Sequence, residues 1–368
     1  MTRPYNFAPG PAMLPESVLK QIQSEMLDFH GCGWSILEAS HRGPQVTGVM
    51  TELKSRLRQL LSIPDTYDVL FCPGGGRMQF AMVRMNLLGA GTLSTYIITG
   101  AWSKAAAKEA LRFGRVQSAF SGSGNRIPAD EELEVIPETS YCAYCDNETI
   151  HGIEFERVPV LKDAEAVPLV ADMTSNFLTR PVDVNKFGLF YASAQKNLGI
   201  AGLAVIVLRR DLLGLAGTEV PTLLNYSVYS RTDSVPNTPP VFQLYVANLM
   251  AQWIDAHGGV AVMDEYARAR AKIVYDAIDA MPEMYVSHVE RESRSRVNAV
   301  FRLKDEALTA LFVKEAAEAG LANLAGHRAV GGIRASMYNA MPIEGVQKLA
   351  DFMKTFAHRH GRTLSAVN

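Results

Sequence analysis

Phe190-Tyr191-Ala192-Ser193-Ala194-Gln195-Lys196-Asn197-Leu198-Gly199 is the stretch on which the fold of this chain turns. Small residues flank its lysine. Apolar runs lie on both sides, Leu189 to Ala192 and Gly202 to Leu208, each short enough to be a buried strand. The spacing predicts that Lys196 is held in a turn between strands rather than displayed on a surface. A short way upstream, Val167-Pro168-Leu169-Val170-Ala171-Asp172 is a third apolar run that ends on a single carboxylate. Open α/β sheets present their ligand-binding groups at such strand carboxyl ends. The pattern therefore predicts a buried amine and a buried acid facing one crevice.

The chemistry that uses such a pair is that of pyridoxal phosphate (PLP). A lysine forms a Schiff base with the cofactor aldehyde, and an acid keeps the pyridine nitrogen protonated so that the ring can take up electrons. Lys196 and Asp172 suit those roles. Taken singly, a lysine is a solvated surface group and an aspartate a strand-end turn residue, so the reading rests on what accompanies them.

A length of 368 residues exceeds one ordinary core and points to about two domains. With 36 Lys and Arg against 38 Asp and Glu, a net charge of -2 gives no electrostatic case for nucleic acid or an anionic membrane surface. Basic residues gathered in one place must then have a local job. There is no apolar run of about eighteen residues, and Met1-Thr2-Arg3-Pro4-Tyr5-Asn6 lacks the apolar core of a signal peptide, so the expectation is a cytoplasmic protein. Cys32, Cys72, Cys142 and Cys145 are too few to staple a chain of this size and suit a reducing compartment. Cys142 and Cys145 have redox-motif spacing, but they follow a strand-like run and no second pair completes a zinc site; they read as structural thiols.

In chain order, Tyr5 to Pro15 is too rich in Pro and Gly for regular structure and reads as an ordered arm, residues 1-15. Helices are expected over Glu16 to Phe29 and Val46 to Ser62 from their apolar spacing. Between them, Glu38-Ala39-Ser40-His41-Arg42-Gly43 is a loop carrying a cation pair. Asp68 to Cys72 is a strand, and Pro73-Gly74-Gly75-Gly76-Arg77 leads from it into a helix over Met78 to Leu88. Glycines between a strand and a helix N-terminus offer backbone N–H groups to an anion, aided by the helix dipole. The run is neither a Walker motif nor a dinucleotide fingerprint. Ser94 to Thr99 is another strand, turned by Gly100-Ala101-Trp102-Ser103 into an alanine-rich helix with Ser103 as its N-cap. At that corner Trp102 is either a core plug or a flat wall for an aromatic ligand.

Tyr141 to Tyr144 is a strand followed by the turn Asn147-Glu148-Thr149-Ile150-His151-Gly152. Alternation of strands and helices from Asp68 to Leu208 implies an α/β fold with a largely parallel sheet. Thr218 to Pro240 is loop-like, Phe242 to Ala256 an apolar helix, and Gly258-Gly259 stops it. The expected division is a large domain over 16-258 and a smaller C-terminal α+β domain over 259-368. In the latter, Arg328 and Arg334 bracket Gly331-Gly332 within an apolar segment. Buried guanidinium groups need an anionic ligand or a structural carboxylate.

Asn6-Phe7-Ala8-Pro9-Gly10-Pro11-Ala12, Glu38 to Arg42, Gly74 to Arg77, Asn147-Glu148-Thr149, Gln195-Lys196-Asn197, Asn237-Thr238-Pro239-Pro240, Gly326-His327-Arg328 and Arg334 to Asn339 occur in that order. In this combination, and over nearly its whole length, the sequence closely resembles the phosphoserine aminotransferase family. Pro73 and Ile200 depart from the family pattern, and neither side chain is asked to do chemistry.

The resemblance implies a fold-type I PLP-dependent transferase with a seven-stranded sheet, built as a homodimer with shared active sites. It implies transamination between L-glutamate and 3-phosphohydroxypyruvate, giving O-phospho-L-serine and 2-oxoglutarate in serine biosynthesis; some members also act on 4-phosphohydroxythreonine in vitamin B6 synthesis. By the same resemblance Lys196 holds the cofactor aldehyde, Asp172 pairs with its ring nitrogen, Trp102 stacks on the ring and Thr149 bonds the phenolic oxygen. Gly76, Arg77 and Gln195 would surround the phosphate, with Asn237 and Thr238 from the other subunit. Arg334 would take the substrate α-carboxylate, and His41, Arg42, Arg77, His327 and Arg328 would form the distal anion pocket, His41 and Arg42 coming from the partner. The competing readings are a serine-glyoxylate-type aminotransferase of the same fold and a non-catalytic PLP- or phosphate-binding protein. A cysteine desulfurase would need a late reactive cysteine, and none follows Cys145.

Overall fold

The computed structural model describes residues 3–89 and 91–364. Met1 and Thr2 of the expected arm and residues 365–368 of the expected small domain lie outside the described residues. The chain opens with β1 (Tyr5–Asn6), α1 (Glu16–Glu25) and α2 (Pro44–Leu61), then β2 (Tyr67–Gly74), α3 (Gly76–Leu87), β3 (Leu93–Ile98), α4 (Ala101–Ala110) and β4 (Arg115–Ser121). Next come β5 (Cys142–Cys145), the short pair β6 (Asn147–Glu148) and β7 (Ile153–Glu154), β8 (Leu169–Asp172), β9 (Leu189–Ser193) and β10 (Gly202–Arg209). Helices α5 (Tyr226–Arg231), α6 (Val241–Ala256) and α7 (Gly259–Asp279) lead to β11 (Tyr285–Val286), β12 (Asn298–Leu303), α8 (Thr309–Glu318), β13 (Leu321–Ala322), β14 (Ile333–Ser336) and α9 (Ile343–Leu364).

The central seven-stranded sheet has the order β2-β10-β9-β8-β5-β3-β4. From β9 to β4 every neighbouring pair is parallel, whereas β10 is antiparallel to both β9 and β2. Chain length explains the reversal. Only residues 194–201 separate β9 from β10, and a parallel return needs a crossover of about a dozen residues or more. The Lys196 segment must therefore be a turn between antiparallel strands.

Alternate residues of the strands enter two cores. Val69, Phe71, Val205 and Val207 join a cluster with the apolar stripe of α2 (Val46, Val49, Leu53, Leu57) and with α6. Leu70, Cys72, Ala204, Ile206 and Leu208 face Phe80, Met82 and Leu87 of α3 and Ala107 and Ala110 of α4 on the other side. Burial on both faces is what makes these strands read as continuous apolar runs.

A third core lies around the antiparallel sheet β11-β12-β14, with Phe301, Phe312, Leu349 and Phe356 among its residues. Helix α7 runs from the first core, at Val260 and Met263, into this one, at Ala271 and Val274. A buried polar seam ties the two regions. Arg296 Nη2 donates to Glu154 at 2.7 Å, Arg296 also pairs with Asp264, and Arg180 Nη2 donates to both Asp146 oxygens at 2.7 and 3.0 Å. Burial works to raise the Glu154 carboxyl, and the Arg296 and Arg180 charges outweigh it and hold it below the usual range.

Several local expectations shift. Residues Tyr5–Asn6 of the arm do form regular structure, pairing in parallel with Leu321–Ala322, and Phe7 is wholly buried in the third core. The first helix ends at Glu25 rather than Phe29. The N-cap of α4 is Gly100, not Ser103. Pro44 opens α2 as its first residue, where a missing N–H costs nothing.

Candidate active site

Asp172 ends β8 and is in register with Cys145 of β5 and Tyr191 of β9, so it stands at the carboxyl edge of three parallel strands. The turn after β9 carries Lys196 to the same edge. Both are buried, at 9% and 8% exposure, in a cleft of about 480 Å³. The amino end of α3 forms another side of this cleft and the Trp102 ring another; Gly76, Arg77, Thr149 and Gln195 also line it.

Lys196 Nζ donates to Thr149 Oγ1 at 2.6 Å. Asp172 Oδ1 accepts the Thr174 N–H at 2.9 Å, and Thr174 Oγ1 accepts the Ser193 N–H at 3.2 Å. Burial raises the Asp172 carboxyl above its ordinary value, while Thr174, Lys196 and Tyr191 draw it back. Such a carboxylate gains from a cation set against it. At the α3 end, the first N–H groups of the helix, those of Gly76 and Arg77, take no backbone acceptor, and they point to an anion site. A Cβ on Gly75 would lie 2.9 Å from Ser193 Oγ, and one on Gly76 3.2 Å from Thr174 Oγ1, so a larger residue at either position would push on the cradle. The Arg77 guanidinium sits 5.4 Å from the Trp102 ring centroid, and Trp102 Nε1 is buried without a partner.

The arm completes the wall. Ala12 N–H donates to the Gln195 carbonyl at 2.9 Å, and Tyr338 Oη to the Pro9 carbonyl at 2.7 Å. Gly10, at φ +131°, would bring a Cβ to 3.2 Å from Lys196 Cγ, so the arm can run past the lysine only as glycine.

From the small C-terminal sheet, Arg334 reaches the cleft with Nη1 3.5 Å from the Thr149 carbonyl oxygen. It is 6% exposed, its Nε lacks a partner, and burial lowers its pKa. No carboxylate neutralises it among the described residues, which answers the sequence-level alternative of a structural ion pair. His327 lies within range of Arg334 and Arg328, and burial followed by those two charges lowers its pKa.

The sequence-predicted residues thus divide. Gly76, Arg77, Trp102, Thr149, Asp172, Gln195 and Lys196 line one cleft, and Arg334 meets its wall at the Thr149 carbonyl. His41, Arg42, Asn237, Thr238, His327 and Arg328 do not line this cleft. Arg42, Asn237, Thr238 and Arg328 are exposed. Thr174, which braces Asp172, had no motif to announce it. Cys142 and Cys145 are free and buried on one strand, burial pushing the Cys142 thiol up to about 12.

A flat ring with a phosphate at one end and a basic nitrogen at the other matches these residues: helix N-terminus for the phosphate, Trp102 for the ring face, Asp172 for the nitrogen, and Lys196 for a carbonyl carbon. That is the outline of PLP.

Known proteins agree with this chemistry. The family model described as aminotransferase class-V matches residues 4–349. The chain is 46% identical over 360 residues to phosphoserine aminotransferase of Acidithiobacillus ferrooxidans, covering 97% of this chain and 99% of the relative. It is similar in structure to phosphoserine aminotransferase from Bacillus circulans subsp. alkalophilus, with a TM-score of 0.94 and 42% identity over 97% of this chain and 99% of that one. PLP-bound phosphoserine aminotransferase from Trichomonas vaginalis is similar at a TM-score of 0.91 and 38% identity, covering 96% and 100%. The chain therefore belongs to the class-V, PLP-dependent aminotransferases and, within them, to the phosphoserine aminotransferase family.

Proposed function

We propose that this protein transfers the amino group of L-glutamate to 3-phosphohydroxypyruvate, giving 2-oxoglutarate and O-phospho-L-serine in serine biosynthesis. The observation that carries the reading is that Lys196 Nζ shares one cleft with Asp172 and the α3 amino end, while the Arg334 guanidinium, with no carboxylate partner among the described residues, meets the wall of that cleft at the Thr149 carbonyl. Purified protein supplied with PLP and both substrates should form phosphoserine and 2-oxoglutarate one for one; glutamate consumed without phosphoserine would contradict the substrate assignment.

Bound in the cleft, PLP supplies an aldehyde that carries the amino group and a ring that takes up the electrons released at the substrate Cα. The protein's residues do the rest. Lys196 would hold the cofactor aldehyde, and its free Nζ would take the proton from the glutamate Cα as general base and deliver it to the aldehyde carbon as general acid, the reverse with the oxo acid. Asp172, braced by Thr174, keeps the ring nitrogen protonated. Trp102 would cover the ring, Thr149 would bond its phenolic oxygen, and Gly76, Arg77 and Gln195 would hold the phosphate. Arg334 binds the α-carboxylate, a planar anion suited to two parallel guanidinium bonds. Arg77, which lines the cleft, would receive the distal anion, joined by His327 and Arg328 from outside the lining as the family resemblance implies.

Asn237, Thr238, His41 and Arg42 serve the cleft of a second copy of this chain, in a cytoplasmic homodimer with shared sites. This follows the family resemblance; Arg42, Asn237 and Thr238 are exposed and open to a second copy, and the free cysteines suit a reducing compartment. We propose the division into arm, residues 1–15, large domain, 16–258, and small domain, 259–368, on the separate cores, with Val260 and Met263 of α7 still packed in the large one and Phe7 of the arm in the small one. Co-expression tests the sharing. Lys196→Ala and Arg42→Ala homodimers should each be impaired, while mixed dimers carry one intact site, restoring about one quarter of all sites at random pairing. No recovery on mixing would reject shared sites.

The lowered pKa of His327 leaves it neutral in the free cleft above pH 6.5, its ordinary value. A phosphate dianion beside it raises that pKa, so binding takes up a proton and strengthens as pH falls from neutrality. A monoanionic carboxylate does so less. KM for the phosphorylated substrate should therefore be steeper in pH than KM for glutamate, and His327→Asn should flatten the difference; equal profiles in both proteins would refute the role. Substrate ionisation is common to both and cancels.

A further inference from the structure

The amino end of α4 presents Trp102 to the cleft, and side chains of one distant segment, Glu148 to His151, hold it there. The Ala101 N–H meets His151 Nδ1 at 3.4 Å. The Trp102 N–H donates to Glu148 Oε2 at 2.8 Å and the Ser103 N–H to Glu148 Oε1 at 2.8 Å, while Ser103 Oγ donates to the same Oε1 at 2.6 Å. Of the N–H groups the helix cannot satisfy internally, those of Ala101, Trp102 and Ser103 are thus taken by this segment, and that of Gly100 by Ser103 Oγ. Glu148 is completely buried and has no salt-bridge partner among the described residues; its charge is set against the positive end of the helix instead. Two glycines make room for the arrangement. A Cβ on Gly100 would lie 2.6 Å from Glu148 Cδ and 2.8 Å from His151 Nδ1, and one on Gly124 2.1 Å from His151 Cδ2.

A helix that needed only capping would be served by a Ser or Asp at its own N-cap. Here the N-cap is glycine, and the cap is a carboxylate some 46 residues away in sequence whose neighbour, Thr149, accepts from Lys196 Nζ. The indole is thereby referenced to the wall that carries the lysine.

We infer that Glu148 is a positioning residue that fixes the Trp102 indole against the cofactor, with His151 completing the clamp. The inference rests on the proposed stacking role of Trp102, and its test separates the two. PLP affinity of the apoprotein is measured by absorbance titration for wild type, Trp102→Ala, Glu148→Gln and the double variant. Each single variant should bind about tenfold more weakly, and the double no more weakly than Trp102→Ala alone, since coupled residues are not additive. Unchanged affinity in Trp102→Ala overturns the stacking reading and this inference with it. A weakened Trp102→Ala with either an unaffected Glu148→Gln or a double variant showing both penalties multiplied overturns this inference alone. In the apoprotein, hydrogen exchange at the Trp102 and Ser103 amides should accelerate in Glu148→Gln; retained protection would also overturn it.

Discussion

Replacing Lys196 by alanine is expected to abolish transamination, with kcat lower by on the order of 10⁴ or more, because one amine serves both as covalent anchor and as the proton-transferring group. The structure offers no substitute. Nζ lies 2.6 Å from Thr149 Oγ1 in a turn packed under the arm, and among the described residues no other lysine lines the cleft. The variant should still fold, since Lys196 makes no salt bridge among the described residues. It should bind PLP noncovalently, so borohydride should no longer fix the cofactor to the protein. Retained turnover, or retained covalent fixation, would show that another residue holds the aldehyde.

Asp172→Asn carries the second large effect and separates catalysis from folding. The carboxyl is buried at the edge of the parallel strands, and burial alone raises its pKa. Because the raised pKa marks the ionised form as disfavoured in the empty cleft, the neutral amide should leave the apoprotein as heat-stable as wild type, or more so. Activity should move the other way. Loss of the charge set against the ring nitrogen is expected to lower kcat by roughly 10²–10³. A variant that keeps its activity, or one that loses both stability and activity together, would remove Asp172 from this role.

Much of this was legible before any coordinates. The runs Leu169 to Asp172, Leu189 to Ser193 and Gly202 to Arg209 are buried on both faces, and a fully buried strand cannot hide its composition. Lys196 and Asp172 were readable because both interrupt such runs. The direction of β10 was less evident, since it depends on the length of a turn rather than on its residues. Strand β4, Arg115–Ser121, escaped notice because it is an edge strand with one fully buried residue, Ala119, and so carries little apolar signal. Ser103 looked like an N-cap because its residue type is right, yet the helix starts earlier, and Ser103 Oγ instead accepts the Thr99 and Gly100 N–H groups at 3.0 and 3.1 Å. Glu148 could be quoted as part of a motif but not given a task. Its partners, Trp102 and Ser103, adjoin it only after β3 and β5 have paired.

Pairing of β1 with β13 explains a further miss. The arm looked irregular because Pro and Gly dominate it, but two residues suffice to join Tyr5–Asn6 to Leu321–Ala322, and Phe7 then plugs the third core. This anchoring carries Gly10 and Pro11 to the cofactor cleft. Sequence alone places an arm; tertiary contact turns it into an active-site wall.

The most direct measurement is the visible absorption spectrum of the purified protein, taken as isolated, after glutamate alone, and again after 3-phosphohydroxypyruvate. A lysine-bound PLP band that glutamate discharges and the phosphorylated oxo acid restores is the expected sequence. A protein that carries no such band after incubation with PLP, or whose band glutamate leaves untouched, would contradict the assignment of Lys196 and Asp172 as the reacting pair.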